Sequence, residues 1–97
     1  MAQQTKILEQ TKLAKPQLFK LFLLNDEVTT MDFVVDVLMR IFHFDISKAT
    51  EIMLDIHNNG EGLVGIFTEE IALSKQKQVK IAAQEADFPL QTRIEAQ

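Results

Sequence analysis

Between Phe22 and Leu38 the chain reads FLLNDEVTTMDFVVDVL, and the spacing of its apolar residues changes abruptly. Leu18 to Leu24 (LFKLFLL) is a short Leu- and Phe-rich run bounded by Pro16 and Asn25. It reads as a buried strand, although periodicity alone leaves a helical turn open. Beyond it Val34, Leu38 and Ile41 recur at helical spacing, joined by Met31, Val35 and Phe42. Thr29-x-x-Asp32 has the spacing of a capping box, with Asp in place of the usual Glu, so a helix is predicted over 30–43. A strand and an amphipathic helix thus adjoin, and the chain belongs to the mixed α/β class.

The remaining elements follow from their own stop and start signals. Asp45 or Ser47 offers the next N-cap. Ala49, Ile52, Met53 and Ile56 then line one face of a second helix, which Asn58-Asn59-Gly60 terminates. GLVGIF (Gly62 to Phe67) is a strand candidate whose two glycines point to a close backbone approach. Thr68 is placed to cap a third helix with Glu69 and Glu70 in its first turn, where the helix dipole favours anions. Ile71, Ala72, Val79, Ala82, Ala83 and Ala86 give that helix a narrow apolar stripe. Phe88-Pro89 stops it, and Leu90, Thr92 and Ile94 alternate along a last strand. The predicted order is β-α-α-β-α-β. Residues 1–17 are polar, with too little apolar surface to offset their ordering entropy, and are expected to form a flexible extension ahead of a core over 18–97.

Composition narrows the function classes. A chain of 97 residues, 46% of them hydrophobic, makes one domain with a modest core, so a ligand would be met at a surface groove. A net charge of −4 argues against nucleic acid as a partner, and more weakly against an anionic membrane. With no cysteine there is no disulfide, thiolate metal site or cysteine nucleophile. No signal peptide or membrane-length apolar run is read, so a soluble, cytoplasmic protein is expected.

Few residues offer chemistry. Asp26, Glu27 and His57 would serve as an acid–base set, but no nucleophile elbow or glycine-rich phosphate loop accompanies them, and no enzyme is expected. His43 and His57 lack ligand partners at helical spacing, so no metal is predicted. Met53, Ile56 and His57 adjoin on one side of the second helix: two apolar side chains with an imidazole at their edge. They are either core with a solvated histidine or a pocket wall with a polar lip. Asn25-Asp26-Glu27 is either turn chemistry or a seat for an ammonium ion, whose three donors suit acceptor-only groups.

These blocks (LLNDEVTTMDFVVDVL, ATEIMLDIH, GIFTEEIALSK and the closing FPL) resemble the ClpS family over about Phe19 to Glu95. That family comprises the adaptors that deliver N-end-rule substrates to the Clp protease. The resemblance implies a three-stranded antiparallel sheet packed with three helices, and no cofactor or catalytic residue. It implies that Asn25, Glu27 and His57 hold the α-amino group of a substrate beginning with Leu, Phe, Tyr or Trp. Glu27 stands where the family usually has Asp, and Thr30 where proline is common. Leu24, Asp26, Thr29, Met31, Val34, Met53, Ile56 and Leu90 are similar to the lining of the family's hydrophobic pocket, Met31 as its gatekeeper. Glu70 and Lys75 are similar to positions that contact the N-terminal domain of an AAA+ unfoldase of the ClpA or ClpC type, and the N-terminal extension is one that the unfoldase engages. The alternative is a small regulatory or assembly domain that docks on an AAA+ or ribosomal partner without reading N-termini.

Overall fold

The computed structural model describes residues 15–97. Its elements are β1 (Leu18–Leu24), α1 (Met31–Arg40), α2 (Ile46–Asn59), β2 (Glu61–Thr68), α3 (Glu69–Glu85) and β3 (Gln91–Ala96). The strands form one antiparallel sheet in the order β2-β1-β3, so the sequence-derived order β-α-α-β-α-β and the antiparallel sheet both hold. Most of the expected 1–17 extension lies outside the described residues. Of its last residues, Gln17 is tied down, its side-chain amide donating to the Gln97 carbonyl at 3.1 Å.

The most apolar strand sits in the centre, as burial demands. Leu21 and Leu23 are fully buried on one face of β1, with Phe19 packed against the same core, while Lys20, Phe22 and Leu24 alternate onto the other. Pairing with β2 runs Leu21 to Gly65 but Phe22 to Leu63, so Val64 is an extra, buried residue that makes a bulge. On the open face the Arg93 guanidinium lies 4.2 Å from the Phe22 ring centroid and pairs with Glu61 of β2 and Glu95 of β3, stapling three strands.

Two boundaries differ from expectation, each through a side chain. The α1 cap is Thr30, whose hydroxyl accepts from the Phe33 N–H at 3.2 Å, and not Thr29, which the preceding loop occupies. α1 also ends at Arg40 rather than near residue 43. His43 takes φ 62°, the Phe44 N–H returns to the Leu38 carbonyl at 3.2 Å, and the Lys75 ammonium donates to the Ile41 carbonyl at 2.7 Å. α2 is capped as its sequence indicates: Asp45 accepts from the Lys48 N–H, and Gly60 closes the helix at φ 87°. On α3 the buried stripe is only Ala72, Val79 and Ala83, with Ala82 half-buried and Ile71 and Ala86 exposed. Ile71 lies about 100° around the helix from Ala72 and points past the core. Thr68 precedes α3 without a side-chain cap bond.

Candidate functional site

One end of the sheet gathers most of the site residues read from the sequence. Leu24, last in β1, pairs with Glu61 of β2 on one side and Gln91 of β3 on the other. The next residues out, Asn25, Gly60 and Leu90, therefore converge there. The Asn25 N–H donates to the Gly60 carbonyl at 2.8 Å, carrying the ladder one residue past β1 and binding it to the end of α2. His57 stands in the last turn of that helix.

Gly62 brings α2 that close to the sheet. A Cβ at this position would lie 2.6 Å from Ile56 Cγ1, so only glycine lets the last turn of α2 rest on β2. α1 closes the other side. Val34, Met53, Ile56 and Leu90 are buried in one core cluster, and the Phe33 and Phe88 rings, 4.9 Å apart, join α1 to the segment leading into Leu90. Thr29 is half-buried and Met31 is 44% exposed, whereas Leu24, expected in the pocket lining, is half-buried on the opposite face of β1 from Leu21 and Leu23 and stands outside the cluster.

The loop between β1 and α1 divides the three acceptors into two kinds. Asp26 works inside the loop: one oxygen accepts from the Val28 and Thr29 N–H groups at 2.8 and 2.6 Å, the other from the Thr29 hydroxyl at 2.7 Å. Burial pushes its carboxyl up, but the Thr29 backbone and hydroxyl and the Val28 N–H outweigh this and hold it below the ordinary value. The side chains of Asn25, Glu27 and His57 are exposed and make no hydrogen bond among the described residues. The expected three-acceptor cluster is thus a turn built by Asp26 that presents its two neighbours. The turn reading of this stretch is carried by Asp26.

Glu70 and Lys75 lie apart from this group, on α3. Glu70 is exposed in the first turn. Lys75 is half-buried, its Nζ held by the Ile41 carbonyl and 6.0 Å from the Phe42 ring centroid. Sequence reading missed this tie, because nothing local marks a lysine that caps a different helix. Sequence alone leaves the cap between Thr29 and Thr30, which are equivalent until Asp26 claims one of them. Among the described residues no group of three or more His, Cys, Asp or Glu side chains converges on a metal-sized site, and no helix is long and apolar enough to cross a membrane.

Comparison with known proteins identifies the family of the chain. The family model for the ATP-dependent Clp protease adaptor protein ClpS matches residues 14–93. The ATP-dependent Clp protease adapter protein ClpS of Campylobacter jejuni (strain RM1221) is 59% identical over 91 residues, covering 94% of this chain and 95% of its own. The protein of the same name from Acetivibrio thermocellus is 44% identical over 97 residues, covering 98% of each. In three dimensions the chain is similar to Agrobacterium tumefaciens ClpS2 bound to L-phenylalaninamide, with a TM-score of 0.83, 32% identity, and coverage of 86% of this chain and 100% of that one. The chain belongs to the ClpS family, and it is an adaptor of the ATP-dependent Clp protease and not an enzyme.

Proposed function

We propose that the chain recognises proteins by a free N-terminal Leu, Phe, Tyr or Trp and hands them to a Clp unfoldase of the ClpA or ClpC type. Asn25, Glu27 and His57 receive the α-ammonium. The side chain of that first residue enters between Met31, Val34, Met53, Ile56 and Leu90, with Asp26 and Thr29 shaping the mouth and Leu24 contributing only the strand end beside it. The observation that carries this reading is the hydrogen bond from Asn25 N–H to the Gly60 carbonyl. It brings exposed acceptors on the β1–α1 loop to the helix end that carries His57, beside a buried apolar cluster. The similar structure of ClpS2 adds chemical support, because L-phenylalaninamide combines a free α-amine with a benzyl side chain.

Two weak discriminations make one strong one. An α-amino group has a pKa near ~7.7–8.0, so it is substantially a three-donor cation at neutral pH. One residue further into a chain the same nitrogen is an amide with a single donor and no charge, so charge-assisted hydrogen bonds are lost, each worth about 1 kcal/mol at exposed acceptors that water also reaches. Burying a Leu or Phe side chain adds about 1.5–3 kcal/mol. Together they select a terminus that is both free and bulky. Glu70 and Lys75 belong to the unfoldase-facing side. There Lys75 acts from a fixed position, because the Ile41 carbonyl holds its ammonium.

The test is fluorescence anisotropy of a labelled peptide that begins with Leu, beside the same peptide acetylated and one with a residue added ahead of the Leu. Binding of the free Leu terminus alone, lost in Asn25→Ala and His57→Ala, is the expected result. Equal binding of all three peptides, or of none, overturns the reading of N-termini and leaves a docking domain.

A further inference from the structure

The outer side of β3 has no strand partner among the described residues, because the sheet order is β2-β1-β3. The Gln97 N–H donates to the Leu18 carbonyl at 2.9 Å, which fixes the parity of the ladder. Successive residues of an antiparallel strand turn their N–H and C=O groups to opposite sides. Gln91, Arg93 and Glu95 therefore face β1, whereas Thr92, Ile94 and Ala96 turn their backbone groups outward. At the start of this edge, between α3 and residues 88–92, lies a groove of about 650 Å³, which Thr92 alone of the three outward-turned residues lines. Its apolar lining is Val79, Ala83, Phe88, Pro89 and Leu90, and its charged lining is Lys77 and Lys80 alone. Neither lysine makes an ion pair among the described residues, although the chain carries a net charge of −4.

We propose that an extended acidic segment of a partner protein enters this groove and continues along the edge of β3 as a fourth strand. The free edge supplies main-chain hydrogen bonds, the apolar lining receives alternate side chains, and the two lysines meet carboxylates. Charge decides against the nearer occupants. The chain's own residues 1–14 carry Lys6 and Lys12 against Glu9, so they are basic. A second copy paired through its own β3 edge would bring a second Lys77–Lys80 pair to the same seam. An acidic strand meets neither repulsion.

The probe is a short acetylated, fluorescein-labelled peptide of alternating Val and Glu, whose blocked terminus keeps it from an N-terminal reader. Expected are saturable binding and new protection of the Thr92, Ile94 and Ala96 amides from hydrogen exchange. Reversing both lysines (Lys77→Glu with Lys80→Glu) should weaken binding about tenfold, as two rim charges warrant. Methylating alternate peptide nitrogens should abolish it. Binding that survives methylation in both registers, equal binding of a Val–Lys peptide, or no binding overturns the proposal. So does protection of the same three amides in the protein alone, which would give the edge to residues 1–14 or to a second copy.

Discussion

Helices α2 and α3 pack into the same core but hold to it in different ways. α2 buries Ala49, Ile52, Met53 and Ile56 and is capped at both ends by Asp45 and Gly60. α3 buries only Ala72, Val79 and Ala83, leaves Ile71, Leu73 and Ile81 about half exposed, and has no side-chain cap at Thr68. Polar ties make up part of the difference: Lys75 to the Ile41 carbonyl, and the Gln76 amide to the Thr92 hydroxyl at 2.9 Å. The helix that fixes His57 is clamped by large side chains and a glycine-thin contact. α3 packs across all three strands through smaller side chains, and both helices leave large apolar residues exposed, Ile46 and Leu54 on α2 among them. The proposed reading of N-termini would rest on the more deeply anchored helix of the two.

The contrast is broken most directly by truncating one isoleucine on each helix. Ile56 is 2% exposed and touches the position a Gly62 Cβ would occupy. Ile56→Ala should cost about 2–5 kcal/mol by urea unfolding, whereas Ile71→Ala on α3 should stay within about 0.5 kcal/mol. Equal losses would mean that α3 is as deeply anchored as α2. Gly62→Ala comes next, at about 1–3 kcal/mol, because the new methyl must move Ile56 and with it the last turn of α2. It should also weaken binding of a free Leu-initiated peptide, since His57 rides on that turn. Full binding beside lost stability would separate the fold of this contact from the site.

How much of this was legible in the sequence differs between the same two helices. The α2 face, its Asp45 cap and its Gly60 stop were all readable, because apolar period and cap chemistry agreed there. α3 was readable in position but not in face. A stripe made of alanines carries little periodic signal, and Ile71 was assigned to a core it does not reach. The residues of the proposed site were named as a set only through resemblance to a family. What the sequence withheld was which of Asn25-Asp26-Glu27 builds the turn, which depends on the Thr29 hydroxyl folding back onto Asp26. Lys75 was hidden for a related reason: its acceptor is 34 residues away, on the end of another helix.

That long-range tie sharpens the comparison at a smaller scale. Lys75→Met keeps most of the aliphatic stem and removes the donor, leaving the Ile41 carbonyl without its ammonium. A half-buried, charge-assisted bond of this kind is worth about 1 kcal/mol once solvent competition is allowed for. The expected signature is a loss of that size in urea unfolding, with faster exchange of the amides that close α1. If stability is unchanged while unfoldase docking is lost, Lys75 serves the surface alone.

The smallest effect sits in the loop and is visible only through pH. Asp26 has a folded-state pKa below its ordinary value of 3.8, because the Thr29 and Val28 donors outweigh burial. A depressed carboxylate contributes stability that is present in full above its unfolded value and is lost as pH falls through the folded one. The window therefore lies below 3.8 and leaves neutral pH untouched. Asp26→Asn keeps an acceptor for the Val28 and Thr29 N–H groups and cannot titrate, so the variant should follow wild type at neutral pH with a constant offset. The gap between them should shift in the variant's favour only on the acid side. A gap that stays constant to the acid limit would show that the unfolded chain holds this carboxylate as well as the loop does, and the turn would then owe its shape to Thr29 and the backbone rather than to the charge on Asp26.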